Sequence, residues 1–239
     1  MNCDNTIAHV IKRGDTIYLL AKNYGTTVPE ILMKNPGINP YNLQVGSTLY
    51  ICREDNEENL QTGEMELNQN LRQLWEQLSY WIRMYILSVA GNMADQDSVK
   101  IQLDKIPVEM GDAFEKYYPP EVAERLRQAL MDLTGGIVAL VPLVKNGEAA
   151  DTDQLEVRLE QDVSDLAEIL SNMNINYDRE ALEQELGEYL MLTKREIVAR
   201  LAGEYADDVD TFNAVERQGL KLADYLANGI GNQRNNMMR

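Results

Sequence analysis

Histidine is almost missing from this sequence, and its scarcity removes more chemistry than any other feature. One His, His9, stands in 239 residues, so zinc centres built on several imidazoles and the Glu-x-x-His pairs of di-iron bundles are excluded. Cysteine is nearly as rare: Cys3 and Cys52 are the only two, and no Cys-x-x-Cys spacing marks a metal or redox site. No Gly-x-Ser-x-Gly occurs. The one glycine pair, in "LTGGIV" at 133–138, lies inside a helical pattern rather than after a strand, which argues against a phosphate loop. The usual nucleophilic and histidine-based acid–base designs are therefore wanting, and a non-enzyme with no metal and no cofactor is expected.

Cations are scarce as well, with 22 Lys and Arg against 39 Asp and Glu and a formal charge of −17. Residues 1–53 hold five cations against three acids, a balance of +2, which leaves −19 for the remainder. A field of that sign disfavours nucleic acid and anionic lipid, both of which need a basic stripe. No uninterrupted run of about 18 apolar residues is present, so no membrane insertion is expected. The opening "MNCDNTIAHV" has neither the basic nor the apolar region of a signal peptide.

What is there divides by composition. "AHVIKRG" alternates apolar and polar positions and stops at Gly14, the pattern of a half-buried strand in which His9 is one strand residue. Asp15 is placed as the N-cap of a helix whose Ile17, Leu20, Ala21 and Tyr24 share one face, closed by Gly25. Thr27 and Glu30 form a capping box for a second short helix with Pro29 in its first turn and Val28, Ile31 and Leu32 on its apolar face. It ends at Asn35 before Pro36. After "NPGINPYN", Val45 and Gly46 lead into a second strand, "STLYIC".

With "HVIKRGDTIYLLAKNYGTTVPEILMKNPGINPYNLQVGSTLYI", this β-α-α-β segment resembles a LysM domain over about 45 residues. The motifs Gly-Asp-Thr-Ile, the central Asn-Pro-x-Ile loop and Leu-x-Val-Gly-x-x-Leu-x-Ile occur in the family's order. The resemblance implies binding of N-acetylglucosamine polymers such as peptidoglycan. It also implies that Gly14, Asp15, Thr16 and Ile17 with Pro36, Gly37, Ile38 and Asn39 line one shallow groove. There, loop amides would pair with an acetamide and Ile17 and Ile38 would cover its methyl group. The flanking cysteines are similar to those of clostridial and bacillar LysM repeats; a Cys3–Cys52 disulfide and two reduced thiols both remain open. The expected location is the cytoplasm, or the cell wall or spore envelope by a non-classical route.

Residues 54–64, "EDNEENLQTGE", are polar and acidic without a period and read as an extended linker. From Met65 the apolar spacing is helical and repeats. "GNMADQD" at 91, "GEAADTD" at 147 and "GEYADDVD" at 203 start 56 residues apart, as do "MGDAF", "LAEIL" and "LADYL". The expected helices are 66–91, 96–117, 120–146, 152–173, 178–203 and 208–229. They make an all-α domain of three tandem helical hairpins, either a six-helix bundle or a short stack, over 65–232 with a tail at 233–239. The segment resembles the uncharacterised helical halves of some Firmicute LysM proteins.

The recurrent acids of this part read as non-catalytic. Asp112, Glu168 and Asp224 fall on the face away from the core, and Asp95, Asp151 and Asp207 fall where helices start, as caps. Gly135, Gly136 and Pro142 would kink the third helix or allow close packing. In "LWEQLSYWIRMYIL", Trp75, Leu78, Ile82 and Tyr85 form a core face. Tyr80, Trp81 and Arg83 point elsewhere and are the candidate protein interface, for a partner or for self-association. The function expected is a non-enzymatic peptidoglycan-binding protein whose helical domain serves assembly or partner binding. The alternative is an intracellular, spore or phage-particle scaffold whose LysM fold docks protein.

Overall fold

The computed structural model describes residues 6–40, 42–52 and 57–237, and resolves two compact units, one within residues 1–63 and one formed by 64–233.

In the first unit, β1 (Thr6–Val10) and β2 (Thr48–Cys52) pair antiparallel, with His9 opposite Leu49, and α1 (Ile17–Asn23) and α2 (Val28–Lys34) lie between them in sequence. The strands turn Ile11, Leu49 and Ile51 into a core shared with Ile17, Leu20, Ala21, Tyr24 and Ile31. The inward residues of the first strand are Ile7 and His9, followed by Ile11 just past its end, while Val10 faces solvent. A histidine thus takes a core position that period-2 reading would give to an aliphatic residue. The second helix starts on the expected capping box. Thr27 accepts the Glu30 N–H at 3.4 Å, and the Glu30 carboxylate accepts the Thr27 N–H at 2.9 Å. Gly25, at φ +64°, takes the left-handed turn that ends α1.

The second unit is helical: α3 (Glu57–Ala90, its first turns preceding the unit), α4 (Gln96–Leu103), α5 (Lys105–Glu115), α6 (Pro120–Asn146), α7 (Ala149–Met173), α8 (Arg179–Ala202) and α9 (Tyr205–Met237). They form three hairpins, α3 with α4–α5, α6 with α7, and α8 with α9. One continuous core runs through all of them, from Leu71 and Trp75 through Phe114, Leu130 and Leu166 to Leu186 and Leu226. That shared core makes the domain a bundle rather than a stack.

The hairpins close alike. Asn92, Gly147 and Gly203 adopt left-handed backbone at φ 49°, 72° and 79°. The next residue in each case donates its N–H to the carbonyl five back: Met93 to Ser88, Glu148 to Leu143 and Glu204 to Ala199, at 2.9–3.0 Å. This is the Schellman closure of a helix end. Lys145 adds a cation at the first end, donating to the Val89 carbonyl and to Asn92 Oδ1.

Several boundaries differ from expectation. Residues 54–56 of the expected linker lie outside the described residues, and 57–64 are the opening turns of α3, so helix-forming Glu, Leu and Gln outweigh the acidic repulsion that suggested a linker. The expected helix 96–117 breaks at Asp104, because Pro107 has no N–H for the Leu103 carbonyl. Helices α7 and α9 start three residues early, which puts Asp151 and Asp207 inside the first turn, and α9 runs on through the expected tail to Met237. Helix α6 passes Pro142 without interruption, and Gly136 allows close approach, since a Cβ there would stand 2.6 Å from Leu159 Cδ2. By length and composition α6 is apolar enough to cross a membrane, although its apolar residues form no long unbroken run. Its buried side chains, among them Leu126, Leu130, Ile137 and Val141, are packed into the bundle core.

Candidate functional site

The two segments expected to line the groove grow from one small core. The turn at 14–17 closes with Asp15 N–H on the Lys12 carbonyl at 3.1 Å, and Gly14 sits at φ +96°, where a side chain would strain the backbone. The Asp15 carboxylate does not cap α1. Its Oδ2 accepts the Lys12 N–H at 2.7 Å and meets His9 Nε2 at 2.7 Å. The cap is Thr16, whose Oγ1 accepts the Leu19 N–H at 3.1 Å and whose carbonyl accepts that of Leu20 at 2.9 Å. Asp and Thr are both good caps, and here the aspartate is spent on the turn and the threonine on the helix.

Ile17 is a second correction. It is buried in the core rather than lying along a groove wall, so it contributes no exposed methyl to a ligand. Gly14 and Thr16 are exposed and Asp15 half-buried. In the loop at 36–39, Pro36, Gly37 and Asn39 are exposed. Ile38 is half-buried against the same core as Ile17, and its N–H donates to the Asn35 carbonyl at 3.2 Å. Gly37 is at φ +93°. The polar surface of the two segments is therefore mostly backbone and small side chains, with Ile38 supplying the apolar contribution.

Two anchors escaped the reading of the residues. Asn35 fixes the loop by acting as a short strand: its Nδ2 donates to the Tyr50 carbonyl at 2.6 Å and its Oδ1 accepts the Tyr50 N–H at 2.7 Å. The Asn-Pro pair signalled a helix end but not this bracket on β2. His9 is the other anchor, 9% exposed between Tyr24 and Asp15. Cys52, at the end of β2, is disulfide-bonded. Cys3 lies outside the described residues.

The helical unit carries an unforeseen cluster of buried charge. Arg83 was expected to offer its guanidinium to a partner, but it turns inward. Nη1 donates to Glu196 Oε1 at 2.7 Å and to Asp208 Oδ1 at 2.9 Å, and the guanidinium stands 4.5 Å over the Phe212 ring. Arg200 also reaches Asp208, at Oδ2 and 3.3 Å. Glu196 and Asp208 are fully buried, and among the described residues Glu196 Oε2 has no hydrogen-bond partner. Burial pushes the Glu196 carboxyl up to about 7, against the opposing hydrogen bond and charge of Arg83. Acidic residues on a polar helix face gave no hint that two of them would be taken inside. Of the expected interface, Tyr80 is exposed, and Trp81 is partly buried against the core with its ring edge-on to Tyr80.

The repeated acids keep to the outer face and do not converge. Asp112 pairs with Arg127, Glu168 with Arg179 and Asp224 with Arg72, at 2.7, 3.2 and 2.7 Å. Among the described residues no group of His, Cys, Asp and Glu could hold a metal ion. Asp95 precedes α4 without a capping hydrogen bond and accepts from the Ser88 hydroxyl instead.

These features locate the recognisable chemistry in the first unit, and the comparison with protein families agrees. The family model of the LysM domain matches residues 9–51, so this segment is a LysM domain. LysM domains are binding modules, not catalysts, and bind N-acetylglucosamine-containing glycans in general. No curated protein matches the chain. No solved structure matches it either.

Proposed function

We propose that the protein binds peptidoglycan, or a related N-acetylglucosamine polymer, through the exposed turn at 14–17 and loop at 36–39. The helical bundle would serve assembly or partner binding rather than catalysis. The observation that carries the reading is the LysM match over 9–51, which contains both segments. Their form supports it: two left-handed glycines keep the backbone bare at Gly14 and Gly37. The start of α1 leaves the N–H groups of Ile17 and Tyr18 for an outside acceptor. Such a surface suits an acetamide, which needs one donor, one acceptor and a small apolar contact from Ile38. The Cys3–Cys52 pair is proposed as the disulfide that joins the two ends of the domain.

One shallow module binds weakly, and useful avidity would come from several copies on one polymer. Co-sedimentation with purified peptidoglycan tests the reading. The wild-type chain is expected in the pellet, and Gly37→Trp, which strains the left-handed backbone of the loop and puts an indole on its exposed surface, in the supernatant. A wild-type chain that stays soluble would leave the LysM fold as a protein-docking piece.

A further inference from the structure

We propose that His9 is a positioning residue for the glycan surface, holding the turn at 14–17 in shape by clamping Asp15 between β1 and α1. The role rests on the glycan reading of that turn, but the clamp itself is separately testable. His9 sits on the inward face of β1 with both ring nitrogens engaged. Nε2 is 2.7 Å from Asp15 Oδ2 and Nδ1 is 2.9 Å from the Tyr24 hydroxyl. The His9 and Tyr24 rings meet edge to face at 5.7 Å. In the neutral ring, Nε2–H donates to Asp15 and Nδ1 accepts from Tyr24, so both contacts form without charging the imidazole. One side chain therefore ties the strand, the turn and the residue that follows α1 together.

Asp15 transmits the constraint to the backbone. The same Oδ2 that meets His9 also accepts the Lys12 N–H at 2.7 Å, while the Asp15 N–H closes back on the Lys12 carbonyl at 3.1 Å. The residues from Lys12 to Thr16, with Gly14 left-handed in the middle, are thus wound around one carboxylate oxygen. An aliphatic residue at position 9 would fill the core equally well but would leave that oxygen half-buried with a single donor. The turn could then relax without unfolding the domain, and the exposed amides beside it would lose their placement.

The test uses the full chain and reads amide hydrogen exchange and peptidoglycan co-sedimentation on the same variants, with thermal unfolding as the check on folding. His9→Phe keeps the volume and loses the donor. It is expected to melt cooperatively yet to exchange the Lys12 amide about tenfold faster and to bind correspondingly less, the consequence of one lost charge-assisted hydrogen bond. His9→Gln, whose amide N–H can reach Asp15, should restore part of both. Asp15→Asn should behave as His9→Phe does, and the double variant should be no worse than either single. If His9→Phe exchanges and binds as wild type does, or if the effects of His9→Phe and Asp15→Asn simply add, the proposal is overturned. If His9→Phe does not fold, Asp15→Asn carries the test, and wild-type exchange at Lys12 in that variant overturns it. Should the wild-type chain not bind glycan while His9→Phe still frees the Lys12 amide, the clamp stands and the glycan reading fails.

Discussion

At the scale of single residues, two glycines in the helical unit make opposite demands. A Cβ on Gly229 would lie 1.9 Å from Tyr177 Cε1, on a ring whose hydroxyl donates to the Leu226 carbonyl at 2.6 Å. That ring is hemmed in: burial raises the Tyr177 hydroxyl pKa, and Tyr225 stacks at 5.9 Å. Gly229→Ala is therefore expected to destabilise by about 1–3 kcal/mol through overpacking, despite alanine's better helix propensity. A Cβ on Gly187, in the middle of α8, would meet nothing, so Gly187→Ala is expected to stabilise by roughly 0.5–1 kcal/mol. Calorimetric melting of both variants checks the pair, and a Gly229→Ala chain melting at or above wild type would show that Tyr177 moves freely. Asn35→Ala removes both hydrogen bonds to the Tyr50 backbone. It should cost about 1–3 kcal/mol in the unfolding of the LysM unit while leaving the bundle transition unchanged. None of these contacts was legible beforehand, because each joins residues far apart in sequence and depends on which way a side chain turns.

Elements were easier to read than residues. Periodicity located every hairpin, and the α6 limits agree with the expected 120–146, since Pro119 and Pro120 open it and Gly147 ends it. Cap positions failed at α7 and α9, where Ala149 and Tyr205 carry no helix-start signal and Asp151 and Asp207 lie inside the first turn rather than before it. The Arg83 cluster is an element-scale device, since it joins α3 to α8 and α9. Its Glu196 carboxyl titrates at about 7 because burial outweighs the stabilisation by Arg83. The folded state therefore holds this proton more tightly than the unfolded chain, whose glutamate has its ordinary value of 4.5. By linkage, this group's contribution is fully present below about pH 4.5, falls as pH rises towards 7 and is level above it. Glu196→Gln should remove that component. Urea unfolding at pH 5 and pH 7.5 is expected to show the variant gaining on wild type at the higher pH, and an unchanged difference between the two pH values would contradict the assignment. Arg83→Met, which leaves the buried Glu196 without its cation and Asp208 with Arg200 alone, should cost about 3–5 kcal/mol.

On the scale of the whole molecule, charge and family divide the chain in the same place. The near-neutral LysM unit has the legible function, and the strongly acidic bundle has the legible fold. The motifs of the former sit in turns where glycine and capping chemistry is written directly in the sequence, so the module was readable. Within it the roles of Asp15 and Ile17 were not, because a carboxylate has several local donors to choose from and an isoleucine beside a turn can face either way. Disulfide bonding at Cys52 leads to a further expectation: reduction should lower the melting temperature of this small unit, at a cost of roughly 2–4 kcal/mol, and spare the bundle. The central claim, that bare backbone in two loops grasps an acetylated amino sugar, is tested most directly by nuclear magnetic resonance of the full chain during titration with an N-acetylglucosamine oligomer. Amide shifts confined to Gly14, Thr16, Ile17, Gly37, Ile38 and Asn39 are the expected result. Saturating oligomer that moves none of these six, or that moves only residues of the bundle, would contradict it.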